Sequence, residues 1–211
     1  MKFEHTVVMN VWGALRGMRN PKMSWAKSDS EQHDGAFVIG KKDLSLARGL
    51  VKAGSEHRKF LRQIFVCVDI TAPMYWWQEF DTYKIGTTEN STSFMHRAMN
   101  KEFTLDDFEI DANYYEHEVN NIILYLNGVR VECLWAQENK QNDEAEFHFR
   151  TLRQMLPAGY KYTRTVTMNF ENLLNMYTQR KNHRLSEWSK DFVEWAENIE
   201  LFKMICLGFE K

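Results

Sequence analysis

Hydrophobic and polar positions alternate with two different periods along this chain. Residues 2–11, 59–70 and 160–168 are rich in β-branched or aromatic side chains, which predicts three strands, the second of them buried. Residues 20–40 carry Gly, Pro, Ser, Asp and Asn, so we expect a loop there. The polar run 86–93 (GTTENSTS) predicts a second loop.

Elsewhere the apolar residues recur at helical spacing. One helix is predicted to begin at Asp43, as its N-cap, and to end at Gly54. Residues 114–155 keep the helical period with only Gly128 interrupting it, which predicts two helices or one kinked helix. The remaining predicted helices cover residues 72–83, 170–177 and 185–207.

Length and composition indicate one α/β domain in which helices are the majority. The chain has 211 residues, 44% of them hydrophobic, which is enough for one sizeable core, and it contains no low-complexity linker or internal repeat. We therefore predict a single domain over residues 1–211. The sequence has no long uncharged apolar run and no signal-peptide pattern at its start, so we expect a cytoplasmic protein without a membrane partner.

Charge and cysteine content exclude several kinds of site. The formal net charge is only −2, so no overall field attracts nucleic acid, and any bound phosphate must be held locally. Cys67, Cys133 and Cys206 are odd in number, far apart and set among apolar neighbours. This pattern is typical of core thiols in a reducing compartment, so we predict neither disulfides nor a metal site.

Most of the candidate chemistry lies in residues 153–180 (RQMLPAGYKYTRTVTMNFENLLNMYTQR). Arg153 and Arg180 bracket a Thr-rich strand and the helix that follows it. Guanidinium groups bind phosphate oxygens in a bidentate manner, so this arrangement suits a monophosphate. Asn169 and Asn175 add amides that can recognise a base or a ribose. From spacing alone, the alternative is that the arginines form surface ion pairs and the asparagines cap helices.

This segment resembles the C-terminal part of the flavin-dependent thymidylate synthases, whose pattern is Arg, Leu-Pro, a Thr-rich strand and then N-L-R-S-L-x-H/N-F-x-x-x-R. The match runs without a gap through Arg153, Leu156, Pro157, Asn169, Leu173, Asn175 and Arg180. The resemblance implies that Arg153 and Arg180 contact deoxyuridylate. It also implies that Asn169 and Asn175 lie at the flavin. Glu171 stands where the family has Arg, which reverses a charge beside the flavin.

A second match lies upstream, where residues 46–57 (LARGLVKAGSEH) resemble the family's helix and the Glu-His pair that follows it. Glu56 and His57 match this pair, and the resemblance implies that His57 contacts the flavin. The alternative is a hydrogen-bonded histidine with a structural role.

The family's hallmark, R-H-R-x-x-S-x-N-x-x-S-x-R, is present only in its second half. Thr88, Asn90 and Ser93 reproduce the S-x-N-x-x-S portion, so the resemblance implies that these three residues bind the nucleotide. It further implies that Ser93 and Arg180 are the catalytic residues. The final Arg of the hallmark is Met95 in this chain.

The Arg-His-Arg triplet itself is absent. It is replaced by Tyr-Lys-Ile at residues 83–85 or, counting from the Glu-His pair, by Trp-Gln-Glu at residues 77–79. Lys84 is expected to supply part of the lost charge at the flavin, and Arg97 is a second candidate. The aromatic run 75–77 (YWW) is expected either to stack on the flavin or base, or to pack in the core.

The resemblance implies an α/β (α+β) fold of the flavin-dependent thymidylate synthase type, with an antiparallel sheet, flanking helices and a homotetrameric assembly. It implies FAD as cofactor, with methylenetetrahydrofolate and NADPH as co-substrates and no cysteine nucleophile. The expected function is transfer of a one-carbon unit to C5 of deoxyuridylate or a related pyrimidine deoxynucleoside monophosphate. Because cationic partners are missing, FAD is expected to bind weakly.

Two other functions remain open at this stage. A non-catalytic nucleotide-binding protein on the same scaffold is favoured by Glu171 and by the missing triplet. A structural protein would use its aromatic and Met-rich faces in an oligomer interface.

Overall fold

The computed structural model describes residues 1–33, 36–110 and 115–208, with the backbone alone at His33, Ala36 and Met95. Strands β1 (Lys2–Met9), β4 (Phe65–Pro73), β5 (Thr87–Ser91) and β6 (Lys161–Asn169) form one sheet in the order β1-β4-β6-β5. Strands β2 (Glu31–His33) and β3 (Ala36–Val38) form a separate antiparallel hairpin.

Backbone hydrogen bonds fix the direction of the two central strands. The N–H of Phe170 donates to the carbonyl of Ile64 at 2.9 Å, and the N–H of Met74 donates to the carbonyl of Tyr160 at 3.0 Å. The first bond joins the end of β6 to the start of β4, and the second joins the end of β4 to the start of β6. The two strands are therefore antiparallel. The predicted fold class, helices combined with an antiparallel sheet, is confirmed.

The helices are α1 (Val11–Met18), α2 (Lys41–Lys52), α3 (Met74–Phe80), α4 (Phe94–Asn100), α5 (Glu116–Glu138), α6 (Asn142–Gln154), α7 (Phe170–Arg180), α8 (Val193–Asn198) and α9 (Glu200–Phe202). Short 3₁₀ turns cover Asn20–Lys22, Trp25–Lys27, Lys59–Gln63 and Leu105–Asp107, and wider π-helical turns cover Glu187–Phe192 and Lys203–Leu207.

The chain forms two compact units. Unit 1 comprises Met1–Ile70, Thr82–Glu89 and Thr165–Lys211, and unit 2 comprises Thr71–Asp81 and Asn90–Arg164. A single domain over residues 1–211 stays a prediction.

Each unit has its own buried side chains. In unit 1, Val66, Val68 and Ile70 alternate along β4 and are fully buried, and burial of side chains of this size stabilises a fold by about 1.5 to 3 kcal/mol each. In unit 2, Trp76 and Trp77 pack edge to face with ring centroids 4.9 Å apart, and both are buried. The two tryptophans are therefore core residues, and the hypothesis that they stack on a flavin or base is wrong.

The start of helix α2 differs from the prediction. Its N-cap is Gly40, and Asp43 lies inside the first turn, so the predicted N-cap at Asp43 is wrong. The physical reason is that the Asp43 carboxylate is fully buried, where it accepts a hydrogen bond from Arg19 at 2.6 Å. The predicted end is confirmed, because Gly54 follows the helix with a φ of 102°, a left-handed conformation that favours glycine.

Four other predictions also differ from the structure. Residues 59–63 form a 3₁₀ turn before the strand, which begins only at Phe65. The break in the long helical region falls at Lys140, whose φ is 58°, and not at Gly128, which lies inside α5. The polar run at residues 86–93 contains β5, an edge strand, and the predicted loop at residues 20–40 contains two 3₁₀ turns and the hairpin. Tyr114, the predicted start of the long helical region, and residues 34–35 lie outside the described residues.

Candidate functional site

Helix α7 begins against the loop that contains Lys84. Asn169 is its N-cap, and the side-chain oxygen of Asn169 accepts a hydrogen bond from the backbone N–H of Asn172 at 2.9 Å. The side-chain amide of Asn172 donates to the carbonyl of Ile85. A Cβ at Gly86 would lie 2.8 Å from the amide nitrogens of both asparagines, so glycine permits the close approach of the loop. Lys84 extends from this loop and is exposed.

The first turn of α7 carries Glu171, which lies against two arginines. The Glu171 side chain is 10% exposed, its Oε1 is 3.3 Å from Nε of Arg58, and its Oε2 accepts a hydrogen bond from Nε of Arg62. Nη2 of Arg58 also donates to Oδ1 of Asn175 at 3.2 Å. The charge reversal that the sequence predicts at Glu171 is therefore offset by two guanidinium groups, which leave one net positive charge.

His57 directly precedes Arg58 in unit 1 and lines a cavity of about 580 Å³. Its backbone N–H donates to the carbonyl of Gly54 at 3.0 Å. Within the described residues the His57 ring takes part in no hydrogen bond and no ion pair.

The cavity combines cationic and apolar walls. Lys22 and Lys59 line it together with Leu50 and Phe60. Its volume lies within the range of roughly 300 to 1,000 Å³ that is usual for ligand pockets. Glu56 also lines the cavity and pairs with Lys59 at 3.7 Å, so an apolar wall lies beside an excess of one positive charge.

Arg180 ends helix α7 and is held by two aromatic side chains. Its Nε donates to the hydroxyl of Tyr83 at 2.8 Å, and that hydroxyl donates in turn to Gln179 at 2.9 Å. The guanidinium lies 5.4 Å from the ring centroid of Tyr83 and 4.8 Å from that of Trp188. Stacking and hydrogen bonding together fix the orientation of this arginine.

The hallmark residues Thr88, Asn90 and Ser93 are exposed. Thr88 and Asn90 lie in β5, and Ser93 is at the N-cap position of α4 without a capping hydrogen bond from its side chain. Within the described part of the chain, no hydrogen bond engages these three side chains.

Arg153 lies in the last turn of α6 in unit 2, and it is exposed. Burial raises the pKa of Tyr162, and the positive charges of Arg153 and Arg164 oppose that rise. Arg164 lies 4.3 Å above the ring of Trp77 and forms an ion pair with Asp81 at 2.7 Å. The positive charge of Arg153 therefore acts on the Tyr162 hydroxyl.

Arg97 has structural contacts in unit 2. Its guanidinium pairs with Asp107 at 2.8 Å and donates to the carbonyl of Lys161 at 3.1 Å. Asp107 is almost fully buried and also pairs with Lys101. The hypothesis that Arg97 replaces a cation of the missing triplet conflicts with these contacts.

The candidate residues are distributed over both units. In unit 1 the structure groups His57, Lys84, Asn169, Asn175 and Arg180 along α7 and the segments beside it, whereas Asn90, Ser93 and Arg153 belong to unit 2.

The sequence prediction missed three contributors to this region, namely Arg58, Arg62 and Tyr83. No local pattern marks the two arginines, because residues 59–70 predict a strand and the turn at residues 59–63 is a 3₁₀ turn, in which side chains three apart share a side. Nor does any local pattern predict the contact between Tyr83 and Arg180.

Two negative observations concern the described residues 1–33, 36–110 and 115–208. They contain no group of three His, Cys, Asp or Glu side chains placed to hold a metal ion, and none of their helices is long and apolar enough to cross a membrane. Cys67, Cys133 and Cys206 are free thiols.

Comparison with known proteins gives one kind of match. No protein-family model and no curated protein matches the sequence. Two crystal structures of the flavin-dependent thymidylate synthase ThyX from Helicobacter pylori, each with FAD and dUMP, are similar to this chain with a TM-score of 0.69 and 19% identity. Each alignment covers 98% of this chain and 97% of the other. The chain therefore has a ThyX-like fold.

Proposed function

We propose that this protein is a divergent FAD-dependent enzyme of the thymidylate synthase type, which transfers a one-carbon unit to C5 of deoxyuridylate or a related pyrimidine deoxynucleotide. The observation that carries the proposal is the fold similarity over 98% of the chain to a protein whose structures contain FAD and dUMP. The transfer forms a C–C bond at C5 and releases the C5 proton. Methylenetetrahydrofolate donates the carbon, NADPH supplies two electrons, and bound FAD provides the redox chemistry.

In this proposal Arg153 and Arg180 hold the nucleotide phosphate, and Thr88, Asn90 and Ser93 bind its remaining polar groups. Ser93 and Arg180 are the catalytic residues. The hydrogen bond from Arg180 to Tyr83 and the contact of Arg180 with the Trp188 ring support a phosphate-binding role for Arg180. An arginine whose orientation is already fixed loses less entropy when it binds a phosphate.

His57, Asn169, Asn175 and Lys84 are assigned to the flavin. The lack of partners for the His57 ring and its place in the cavity wall support the first assignment. The amide oxygens of Asn169 and Asn175 already accept hydrogen bonds, so their NH₂ groups are what these side chains offer a ligand. The exposed ammonium of Lys84 is suited to a phosphate.

The second candidate is a non-catalytic nucleotide-binding protein on the same scaffold. It is favoured by the missing Arg-His-Arg triplet and by the engagement of Arg97 with Asp107 and the Lys161 carbonyl. Both features reduce the number of cations that could hold a flavin diphosphate.

A combined binding and turnover experiment distinguishes these functions. FAD fluorescence is titrated with protein to about 100 μM, the range that detects weak binding, with and without dUMP. Turnover is measured as tritium released from C5-labelled dUMP in the presence of methylenetetrahydrofolate and NADPH. Fluorescence quenching with tritium release supports the enzyme. Binding of dUMP, measured by calorimetry, without quenching of FAD fluorescence supports the second candidate. If neither FAD nor dUMP binds, both candidate functions are contradicted.

The matched variants are Arg180→Ala and Arg184→Ala, the second being an exposed arginine shortly after α7. Loss of a charged hydrogen bond costs about 1.5 to 3 kcal/mol, so Arg180→Ala is expected to weaken dUMP binding roughly ten- to a hundredfold. Arg184→Ala is expected to leave it unchanged. Equal effects of the two substitutions would remove Arg180 from the site.

A further inference from the structure

The 3₁₀ turn before β4 presents two arginines to one carboxylate. We propose that Arg58 and Arg62, positioned by Glu171, form a phosphate-binding site for the nucleotide ligand. The identity of that ligand rests on the proposed function, whereas the phosphate site itself follows from the side chains described next.

The hydrogen bonds of the pair leave donors available. Arg62 contacts Glu171 through Nε, and within the described residues no hydrogen bond engages either of its Nη atoms. Arg58 uses Nε and Nη2, which leaves its Nη1 without a partner in the same part of the chain. The Arg62 side chain is 52% exposed and that of Glu171 only 10%. The carboxylate therefore fixes the arginines from the protein side, while N–H groups remain open to solvent.

The local charge also favours an anion. Together with Glu171, residues 56–62 carry three cationic and two acidic side chains, an excess of one positive charge. The Lys59–Glu56 pair, 3.7 Å apart, is exposed, so solvent screens it. The arginines and Glu171 are less exposed as a group, and their excess charge is screened less.

The same segment supplies residues to the cavity, although the two arginines do not line it. His57 and Lys59 line the cavity of about 580 Å³, whereas Arg58 and Arg62 contact α7. Cationic and polar groups thus come from consecutive residues of one segment. Guanidinium groups with free Nη atoms bind the oxygens of an anion in a bidentate manner, and the anion that the proposed function supplies is a phosphate or diphosphate.

A purely structural ion pair would behave differently from a binding site. If Arg58 and Arg62 serve only as ion-pair partners of Glu171, removal of the Glu171 charge lowers stability and has no effect on ligands. If the two arginines also bind an anion, removal of the Glu171 charge lowers stability but raises anion affinity, because the local charge becomes more positive. Glu171→Gln therefore separates the two roles by the sign of its effects.

The experiment uses the 211-residue chain, three probes and three variants. Calorimetry measures inorganic pyrophosphate and dUMP, fluorescence measures FAD, and thermal unfolding of every variant reports folding. Arg62→Gln is expected to weaken the binding of the phosphate ligand about tenfold, as expected for one lost charged hydrogen bond. Glu171→Gln is expected to strengthen it several-fold while lowering the melting temperature. Lys52 is an exposed lysine at the end of α2. Lys52→Gln removes one positive charge, as Arg62→Gln does, and is expected to leave the affinity for all three probes unchanged.

The outcomes separate this site from the proposed function. Wild-type binding of FAD or dUMP that Arg62→Gln leaves unchanged overturns the site and leaves the function intact. Binding of pyrophosphate alone, weakened by Arg62→Gln, supports the site and overturns the function. Binding of none of the three probes overturns both. If only FAD affinity depends on Arg62, the phosphate belongs to the flavin, and if only dUMP affinity does, it belongs to the substrate.

Discussion

Replacement of Asp43 by Asn is expected to be one of the most destabilising single changes in unit 1. The Asp43 carboxylate is fully buried and accepts hydrogen bonds at 2.6 Å from Arg19, Ser28 and Ser30. Asn keeps the shape of the side chain but removes its charge, and Arg19 is only 4% exposed. An unpaired buried charge costs about 3 to 5 kcal/mol of stability.

Thermal unfolding measures this loss. For a chain of this length, each kcal/mol shifts the melting temperature by roughly 2 to 4 °C, so Asp43→Asn is expected to lower it by about 6 to 20 °C. The matched control is Asp81→Asn, which breaks an ion pair with Arg164 at 2.7 Å, but the Asp81 side chain is 39% exposed. Such partly exposed pairs contribute about 0.2 to 1 kcal/mol. Similar shifts for the two variants would refute the argument from burial.

The pH dependence tests the same interaction independently. Burial alone would raise the pKa of Asp43, but the hydrogen bonds from Ser28, Ser30 and Arg19 outweigh it, and the pKa is lowered. The carboxylate therefore stabilises the fold fully above the unfolded-state pKa of about 3.9, and this contribution is lost as the pH falls through the folded-state value. The stability difference between wild type and Asp43→Asn should be constant near neutral pH and shrink in acid. A difference that persists unchanged into strong acid would contradict this assignment.

The same substitution also bears on the candidate site. Arg19 precedes a segment whose Pro21, Lys22 and Ser24 line the cavity that contains His57. Since Asp43 anchors this segment through Arg19 and Ser28, its replacement should loosen the cavity wall. Ligand affinity is therefore expected to fall along with stability, even though Asp43 itself does not line the cavity.

Three further predictions concern assembly, the nucleotide site and the thiols. Leu124 and Trp135 are 68% and 55% exposed on α5, so Glu at both positions should dissociate the predicted homo-oligomer in sedimentation experiments; a wild-type monomer of 25.1 kDa would contradict that prediction. Tyr83→Phe removes the hydroxyl that accepts from Arg180, so dUMP affinity should fall several-fold in calorimetry, and an unchanged affinity would show that this hydrogen bond is dispensable. Burial raises the pKa of Cys133, so a thiol reagent at mildly alkaline pH should modify it only after unfolding; rapid modification in the native protein would count against its burial.

The sequence predicted those elements whose side chains carry a periodic pattern. Strand β6 and helix α7 were located correctly, because a Thr-rich alternation ends at Asn169, which is a favourable N-cap residue. Strand β5 was missed because an edge strand with exposed residues on both faces needs no apolar alternation. Gly128 failed as a helix break because its cost in a helix, about 1 kcal/mol, is small compared with the packing of a helix of 23 residues.

The chemistry of the candidate site was harder to predict, because it depends on pairs that are distant in sequence. Glu171, considered alone, reverses a charge, and it was therefore an argument against a bound anion. In the fold it contacts Arg58 and Arg62, which are 113 and 109 residues away in the chain. Periodicity and local motifs carry no information about such contacts. Only the fold shows that the arginines outnumber the carboxylate.

The absence of the Arg-His-Arg triplet has a similar explanation under the proposed function. A cation can be supplied from any segment that reaches the same place, so the loss of three residues from one loop does not by itself remove positive charge from a site. Tyr83, which stands at the first triplet position in one register, accepts a hydrogen bond from Arg180 and stacks on its guanidinium. In this chain the loop therefore orients an arginine of α7. The phosphate site proposed at Arg58 and Arg62 would supply further charge from the turn before β4. Weak but specific binding of FAD, sensitive to Arg62, is what this redistribution of charge requires, whereas a scaffold that had lost its site would show no such sensitivity.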